Sequence, residues 1–101
     1  MVNVKKFIED DMIVFEVKGH AQYAKYGKDI VCASVSTLVI FTSNLILNMN
    51  PSYNIQNLKL EEGYSLIKIV NDDTFKAIIK TLDDSFSDLA NTYPKYIKYN
   101  R

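Results

Sequence analysis

The chain has 101 residues, a hydrophobic fraction of 48%, and twelve basic side chains balanced by twelve acidic ones. This length predicts one domain, and the composition is typical of a folded globular protein rather than a disordered one. Proteins that bind nucleic acids usually carry a basic surplus, so a formal net charge of zero disfavours direct nucleic-acid binding.

The sequence also limits where the protein is expected to work. A single cysteine, Cys32, cannot form an internal disulfide, so nothing requires an oxidising compartment. The N-terminal segment MVNVKKFIED carries charges where a secretion signal needs an apolar core. The most apolar window, LVIFTSNLIL, is interrupted by polar residues and is too short to span a bilayer. We therefore expect a cytoplasmic protein with no membrane partner.

The N-terminal half is predicted to form a β-hairpin followed by a long helix. Residues 2–8 and 12–18 have the pattern of two strands, joined by a polar turn at Glu9–Asp11. Apolar residues at three- and four-residue spacings predict a helix from about Ile30 to Asn48, ended by Asn50-Pro51. Because apolar residues extend well around its axis, we expect this helix to be largely buried.

The C-terminal half is predicted to repeat this arrangement. Residues 54–60 and 64–70 have the pattern of two strands, and Glu61–Gly63 form the turn between them. A second apolar stripe at helical spacing follows, with Asp72 and Asp73 as candidates for its N-cap. The tail KYIKYN is a candidate for a last strand.

Hairpins that alternate with helices predict an α+β fold for the single domain of residues 1–101. We expect an antiparallel sheet with two helices covering its apolar face, in the order β-β-α-β-β-α with an optional final β.

The segment GHAQYAKYGKDIVCASVS, residues 19–36, holds the only histidine and the only cysteine of the chain. Asp29 fits the N-cap of the first helix, which places Cys32 in the first helical turn. There, free backbone N–H groups and the helix dipole favour an anion, so they favour the nucleophilic thiolate. A nearby His20 would serve as its general base, and the N–H groups are candidates for an oxyanion hole.

The same residues also fit a purely structural interpretation. A lone cysteine is commonly a small buried hydrophobe, and a histidine that follows a glycine is commonly a surface turn residue. Composition and spacing alone favour this interpretation for both Cys32 and His20. A metal site is disfavoured, because one cysteine and one histidine fall short of the four ligands of a structural zinc.

A motif in this segment favours the catalytic interpretation over the structural one. GHA, followed by YGKDIVCA and VS, resembles the active-site signature of the ribosomal-processing cysteine proteases, the Prp or YsxB-like family. The matching residues are Gly19–Ala21, Gly27, Asp29, Cys32 with its neighbours, and Ser36. In length and element order the similarity covers essentially the whole chain.

The resemblance implies a cysteine protease with Cys32 as the nucleophile and His20 as the general base and acid. It implies supporting roles for Asp29 and Ser36, which would orient the histidine or shape the pocket. Gly27 would serve as a hinge in the loop that precedes the helix.

The loop of residues 21–28 would lie over the active site, and its aromatic residues Tyr23 and Tyr26 would line an apolar groove for the substrate. The implied substrate is the precursor of the large-subunit ribosomal protein L twenty-seven, whose short N-terminal extension is removed after an apolar, Phe-containing motif. The family further implies a homodimer without a cofactor or metal ion. The alternative is a non-enzymatic, ribosome-associated or RNA-binding module in which His20 and Cys32 are incidental.

Overall fold

The computed structural model describes residues 1–25 and 28–101. In these ranges the strands are β1 (Val2–Glu9), β2 (Met12–Lys18), β3 (Leu58–Glu61), β4 (Tyr64–Val70) and β5 (Ile97–Asn100), and the helices are α1 (Ile30–Met49) and α2 (Lys76–Thr92). The α+β fold with two helices is therefore confirmed, and the tail does form a last strand. β3 is shorter than predicted, because Ile55–Asn57 form a 3-10 turn.

The five strands form one sheet in the order β3-β4-β2-β1-β5. Three of the neighbouring pairs are antiparallel, whereas β1 and β5 are parallel. The prediction of an antiparallel sheet was wrong for this last pair. A helical crossover returns the chain in the direction of the preceding strand, so β5 follows the direction of β4, which already runs parallel to β1.

The core lies between the two helices and one face of the sheet. On β2, the alternate residues Ile13, Phe15 and Val17 are buried on this face, and Phe15 packs against Phe86 of α2 with ring centroids 5.9 Å apart. α1 contributes residues at helical spacing, namely Val31, Val35, Val39, Thr42 and Ile46.

The first helix is less buried than its composition predicts. Two of its large apolar residues, Ile40 and Phe41, are 44% and 66% exposed. By length and composition the whole helix is sufficient to cross a membrane, although the interrupted window LVIFTSNLIL within it is too short to do so. A core helix of a soluble protein passes the same test, and here one side of α1 packs in the core.

Asp29 is the N-cap of α1, as predicted, whereas the prediction for α2 was wrong. That helix begins at Lys76 with Phe75 at its N-cap position and no side-chain cap. Asp72 instead accepts hydrogen bonds from the N–H groups of Thr74 (3.0 Å) and Phe75 (3.3 Å). It therefore stabilises the turn before the helix, because Asp side chains readily bond backbone groups two or three residues ahead.

A buried carboxylate, Asp83, joins α2 to the C-terminal strand. It accepts a 2.6 Å hydrogen bond from the Tyr99 hydroxyl and pairs with Lys6 and Arg101, each at 3.4 Å. Burial raises the pKa of the Asp83 carboxyl, but the Tyr99 hydrogen bond and the two cations lower the pKa more. The net result is a pKa below the ordinary value of 3.8.

Candidate active site

Asp29 connects the start of α1 to the loop that precedes it. One carboxylate oxygen, Oδ1, accepts hydrogen bonds from the N–H groups of Val31 (3.0 Å) and Cys32 (2.9 Å). The other, Oδ2, accepts from the N–H groups of Tyr23 (2.9 Å) and Ala24 (3.5 Å). Desolvation raises the pKa of Asp29, but these backbone hydrogen bonds outweigh it and hold the pKa below 3.8. The carboxylate thus fixes Cys32 and the loop together.

Three of the first-turn N–H groups of α1 already have acceptors. Those of Val31 and Cys32 are bonded to the Asp29 side chain, and that of Ala33 is bonded to the Asp29 carbonyl at 3.0 Å. In the resting structure these three donors are therefore not free for an oxyanion hole, because the N-cap that places Cys32 in this turn also uses them. The oxyanion hole in this turn stays a prediction.

The thiol of Cys32 instead receives a donor from the opposite wall. The backbone N–H of Ala21 donates to Cys32 Sγ at 3.3 Å, and the Cys32 side chain is partly buried. This N–H therefore holds the sulfur atom against the segment that carries His20.

Gly19 holds a backbone conformation that few other residues adopt. Its φ is +95°, and a Cβ at this position would lie 2.4 Å from the backbone oxygen of Met1. Its N–H donates to the Gly63 carbonyl at 3.0 Å, which ties the end of β2 to the β3–β4 turn. The Gly-His-Ala motif is therefore held by the N-terminus, this turn and α1.

The His20 side chain is exposed and lies against the β3–β4 turn. A Cβ on Gly63 would be 2.9 Å from His20 Nε2. Among the residues that the structure describes, no hydrogen bond joins the His20 imidazole to the Cys32 thiol, whose partner is Ala21. Both side chains nevertheless line the same open cleft.

This cleft has a volume of about 580 Å³. One wall comes from the α1 region, at Asp29, Cys32 and Ser36, and the other from residues 61–65. The segment after β2 adds Gly19, His20, Gln22 and Ala24 to the lining. Sequence reasoning missed that second wall, because it treated Glu61–Gly63 only as a turn. The pairing of β4 with β2 brings the turn beside His20, and no local sequence motif predicts that pairing.

Three of the predicted site residues do not line this cleft or fall outside the described residues. Tyr23, 42% exposed, packs its ring against Tyr93 and Tyr96 at centroid distances of 5.9 Å and 5.1 Å, and it is not among the cleft-lining residues. Tyr26 and Gly27 fall outside the described residues. Within residues 1–25 and 28–101, no group of three or more metal-ligating side chains comes together.

Comparison with known proteins identifies the family. Residues 1–98 match the family described as Cysteine protease Prp. The ribosomal processing cysteine protease Prp of Staphylococcus aureus is 29% identical over 104 residues, which covers 99% of this chain and 98% of the relative. The Bacillus subtilis protein of that name is 32% identical over 44 residues, which is 44% of this chain and 39% of that protein.

Solved structures show the same fold. The crystal structure of Staphylococcus aureus Prp in complex with a covalently linked product peptide matches with a TM-score of 0.83 at 24% identity, over 99% of this chain and 98% of that chain. Its complex with a substrate peptide matches with a TM-score of 0.78, also at 24% identity and with the same coverage. The predicted family is confirmed by the match over residues 1–98, and the chain belongs to the Prp family of cysteine proteases.

Proposed function

We propose that the protein is a Cys–His endopeptidase that removes the short N-terminal extension of the precursor of ribosomal protein L twenty-seven, after an apolar, Phe-containing motif. The observation that carries the proposal is that the only histidine and the only cysteine line one open cleft. The related Staphylococcus aureus protease, which has been crystallised with a covalently linked product peptide, supports a covalent route. We place the reaction in the cytoplasm, where a ribosomal protein precursor is made.

In the first step of the proposed mechanism, His20 accepts the proton of Cys32 Sγ, and the thiolate attacks the scissile carbonyl carbon. The Ala21 N–H stabilises the sulfur while its charge develops. His20 then donates the proton to the leaving amine as the C–N bond breaks, which leaves a thioester on Cys32. Water, deprotonated by His20, hydrolyses the thioester and releases the new carboxylate.

The resting arrangement requires one movement before this chemistry. Because Cys32 Sγ is bonded to Ala21 rather than to His20, we propose that a bound peptide brings the imidazole and the thiol together. Catalytic hydrogen bonds are often formed only in the complex with substrate, so an open resting pair is compatible with catalysis.

An extended peptide fits the cleft. Its lining includes the apolar side chains of Val2, Val17 and Val35 beside the thiol. Apolar walls of this kind suit the apolar residues that precede the cleaved bond.

We further propose that two copies associate through the exposed side of α1. Exposed apolar residues recur along this helix, at Ile30, Ile40, Phe41 and Met49. Large exposed apolar side chains on a soluble protein mark an interface where they adjoin, and Ile40 and Phe41 are neighbours in the sequence. A second copy of the same helix provides a matching surface, because symmetric dimers bury the same patch on both subunits.

Cleavage of a peptide that spans the extension junction of the organism's own precursor tests the proposal. We expect one cut by the wild type, identified by mass spectrometry, and no cut by Cys32→Ala or His20→Ala. Thr37→Ala is the matched control, because this exposed residue lies on the same helix, outside the cleft, and bonds the Ala33 carbonyl at 2.7 Å. Cleavage that persists in Cys32→Ala contradicts the assigned nucleophile. Absence of cleavage by the wild type, with salt-dependent RNA binding, favours the non-enzymatic alternative.

A further inference from the structure

The β3–β4 turn approaches the proposed general base more closely than its place in the sequence suggests. Gly63 lies 43 positions after His20, yet a Cβ on it would stand 2.9 Å from Nε2 and 3.4 Å from Cε1 of that ring. Real Cβ atoms essentially never come that close to another heavy atom, so any side chain at residue 63 displaces the imidazole.

The same turn also fixes the backbone beside the histidine. The Gly63 carbonyl accepts the Gly19 N–H at 3.0 Å, and Glu61 pairs with Tyr64 to close the turn. Gly63 itself has a φ of +76°, which favours glycine on conformational grounds. Two independent features therefore favour glycine here: the backbone of the turn and the space taken by the ring.

We propose that Gly63 is a positioning residue for His20: its missing side chain leaves the space that the imidazole occupies in the resting arrangement, from which a bound peptide brings it to Cys32. The proposal rests on the proposed function for its catalytic consequence, whereas the contact between ring and turn stands independently. A methyl group at residue 63 would push the ring out of this resting position by a fraction of an ångström to an ångström, so that the peptide would bind beside a misplaced general base. Misplacement on this scale lowers turnover by up to about 100-fold.

Two substitutions separate the loss of space from backbone strain. Gly63→Ala adds a Cβ in a conformation that alanine tolerates poorly, whereas Gly63→Asn adds the same Cβ with a residue that adopts positive φ more readily. Asp10→Ala is the matched control, because Asp10 has a φ of +52° in the turn at the other end of β2. We expect both Gly63 variants to lose about 10- to 100-fold in kcat for the junction peptide, with little change in KM, while Asp10→Ala keeps wild-type turnover.

His20 is the only histidine, so its ring gives a single assignable set of imidazole signals in the NMR spectrum. We expect nuclear Overhauser contacts between the ring protons and the Gly63 α-protons in the wild type, and changed chemical shifts of the His20 ring protons in both Gly63 variants. Folded Gly63 variants with wild-type kcat and unchanged ring-proton shifts would overturn the proposal. So would the absence of the ring contact in the wild type, a measurement that needs no variant. If the wild type cleaves nothing, the proposed function fails, and the NMR contact still decides the role of Gly63.

Discussion

The Asp29 carboxylate stabilises both the start of α1 and the loop before it, and two substitutions distinguish these contributions. One oxygen caps α1 at Val31 and Cys32, and the other holds the loop through Tyr23 and Ala24. Asp29→Ala removes both sets of acceptors. Asp29→Asn retains one side-chain oxygen, which serves as an N-cap about as well as Asp does, but it presents an NH₂ group to the donors of the loop.

The size of each effect follows from these contacts. Loss of an N-cap costs about 1 kcal/mol in the free energy of unfolding, and the loop hydrogen bonds bring the total for Asp29→Ala to roughly 1.5 kcal/mol. For a chain of this size that corresponds to a fall in Tm of roughly 6–12 °C. We expect Asp29→Asn to stay within about 0.5 kcal/mol of the wild type. Both variants should lose cleavage of the junction peptide by about tenfold or more, because the loop next to Cys32 is no longer held.

The assay pairs thermal unfolding with kcat/KM for the junction peptide, and Asp73→Ala, an exposed carboxylate ahead of α2, is the control. Because the folded pKa of Asp29 is lowered, its contribution to stability is present above the ordinary value of 3.8 and is lost as the pH falls through the folded pKa. Wild type and Asp29→Ala should therefore converge in stability in acid. Wild-type cleavage by Asp29→Asn, or an unchanged Tm for Asp29→Ala, would refute this division of roles.

Two further predictions concern stability and assembly. Asp83→Asn should cost about 2 kcal/mol, because a charged acceptor of the Tyr99 hydroxyl is lost within a largely buried site. The difference in the free energy of unfolding between wild type and Asp83→Asn should be full above about pH 3.8 and should shrink below it, since the pKa of Asp83 is lowered on folding. Chemical denaturation at a series of pH values checks this. A difference that does not depend on pH would count against the pairing of Asp83 with Tyr99, Lys6 and Arg101. Phe41→Glu should reduce the mass measured in solution by light scattering to the 11.6 kDa of one chain, whereas Ile55→Glu, at another exposed apolar residue outside α1, should leave a dimer. Equal masses for both variants and the wild type would contradict the proposed interface.

Local signals in the sequence predicted the local structure well. The alternation in residues 12–18 and 64–70 and the Asp29 cap depend on interactions within a few residues, so β2, β4 and the start of α1 agree with expectation. The exposure of one side of α1 was missed, because an apolar helix has the same composition whether it faces its own core or a partner.

The features of the site that depend on strand pairing could not be predicted from the sequence. Gly63 lies beside His20 only because β4 pairs with β2, and the register of that strand pair cannot be derived from a single sequence. Similarly, Tyr23 packs against Tyr93 and Tyr96, which come from the far end of the chain. The two residues proposed for catalysis were found from a motif, whereas their surroundings required the fold.

Affinity labelling of Cys32 tests the central claim most directly. The reagent is a peptide chloromethyl ketone that carries the extension residues before the cut, compared with a scrambled peptide of the same composition. The account predicts one adduct per chain, mapped to Cys32, formed at least about 100-fold faster with the native order than with the scrambled one and slowed strongly by His20→Ala. Equal labelling rates for both peptides, unaffected by His20→Ala, would contradict a His20–Cys32 protease site in this cleft.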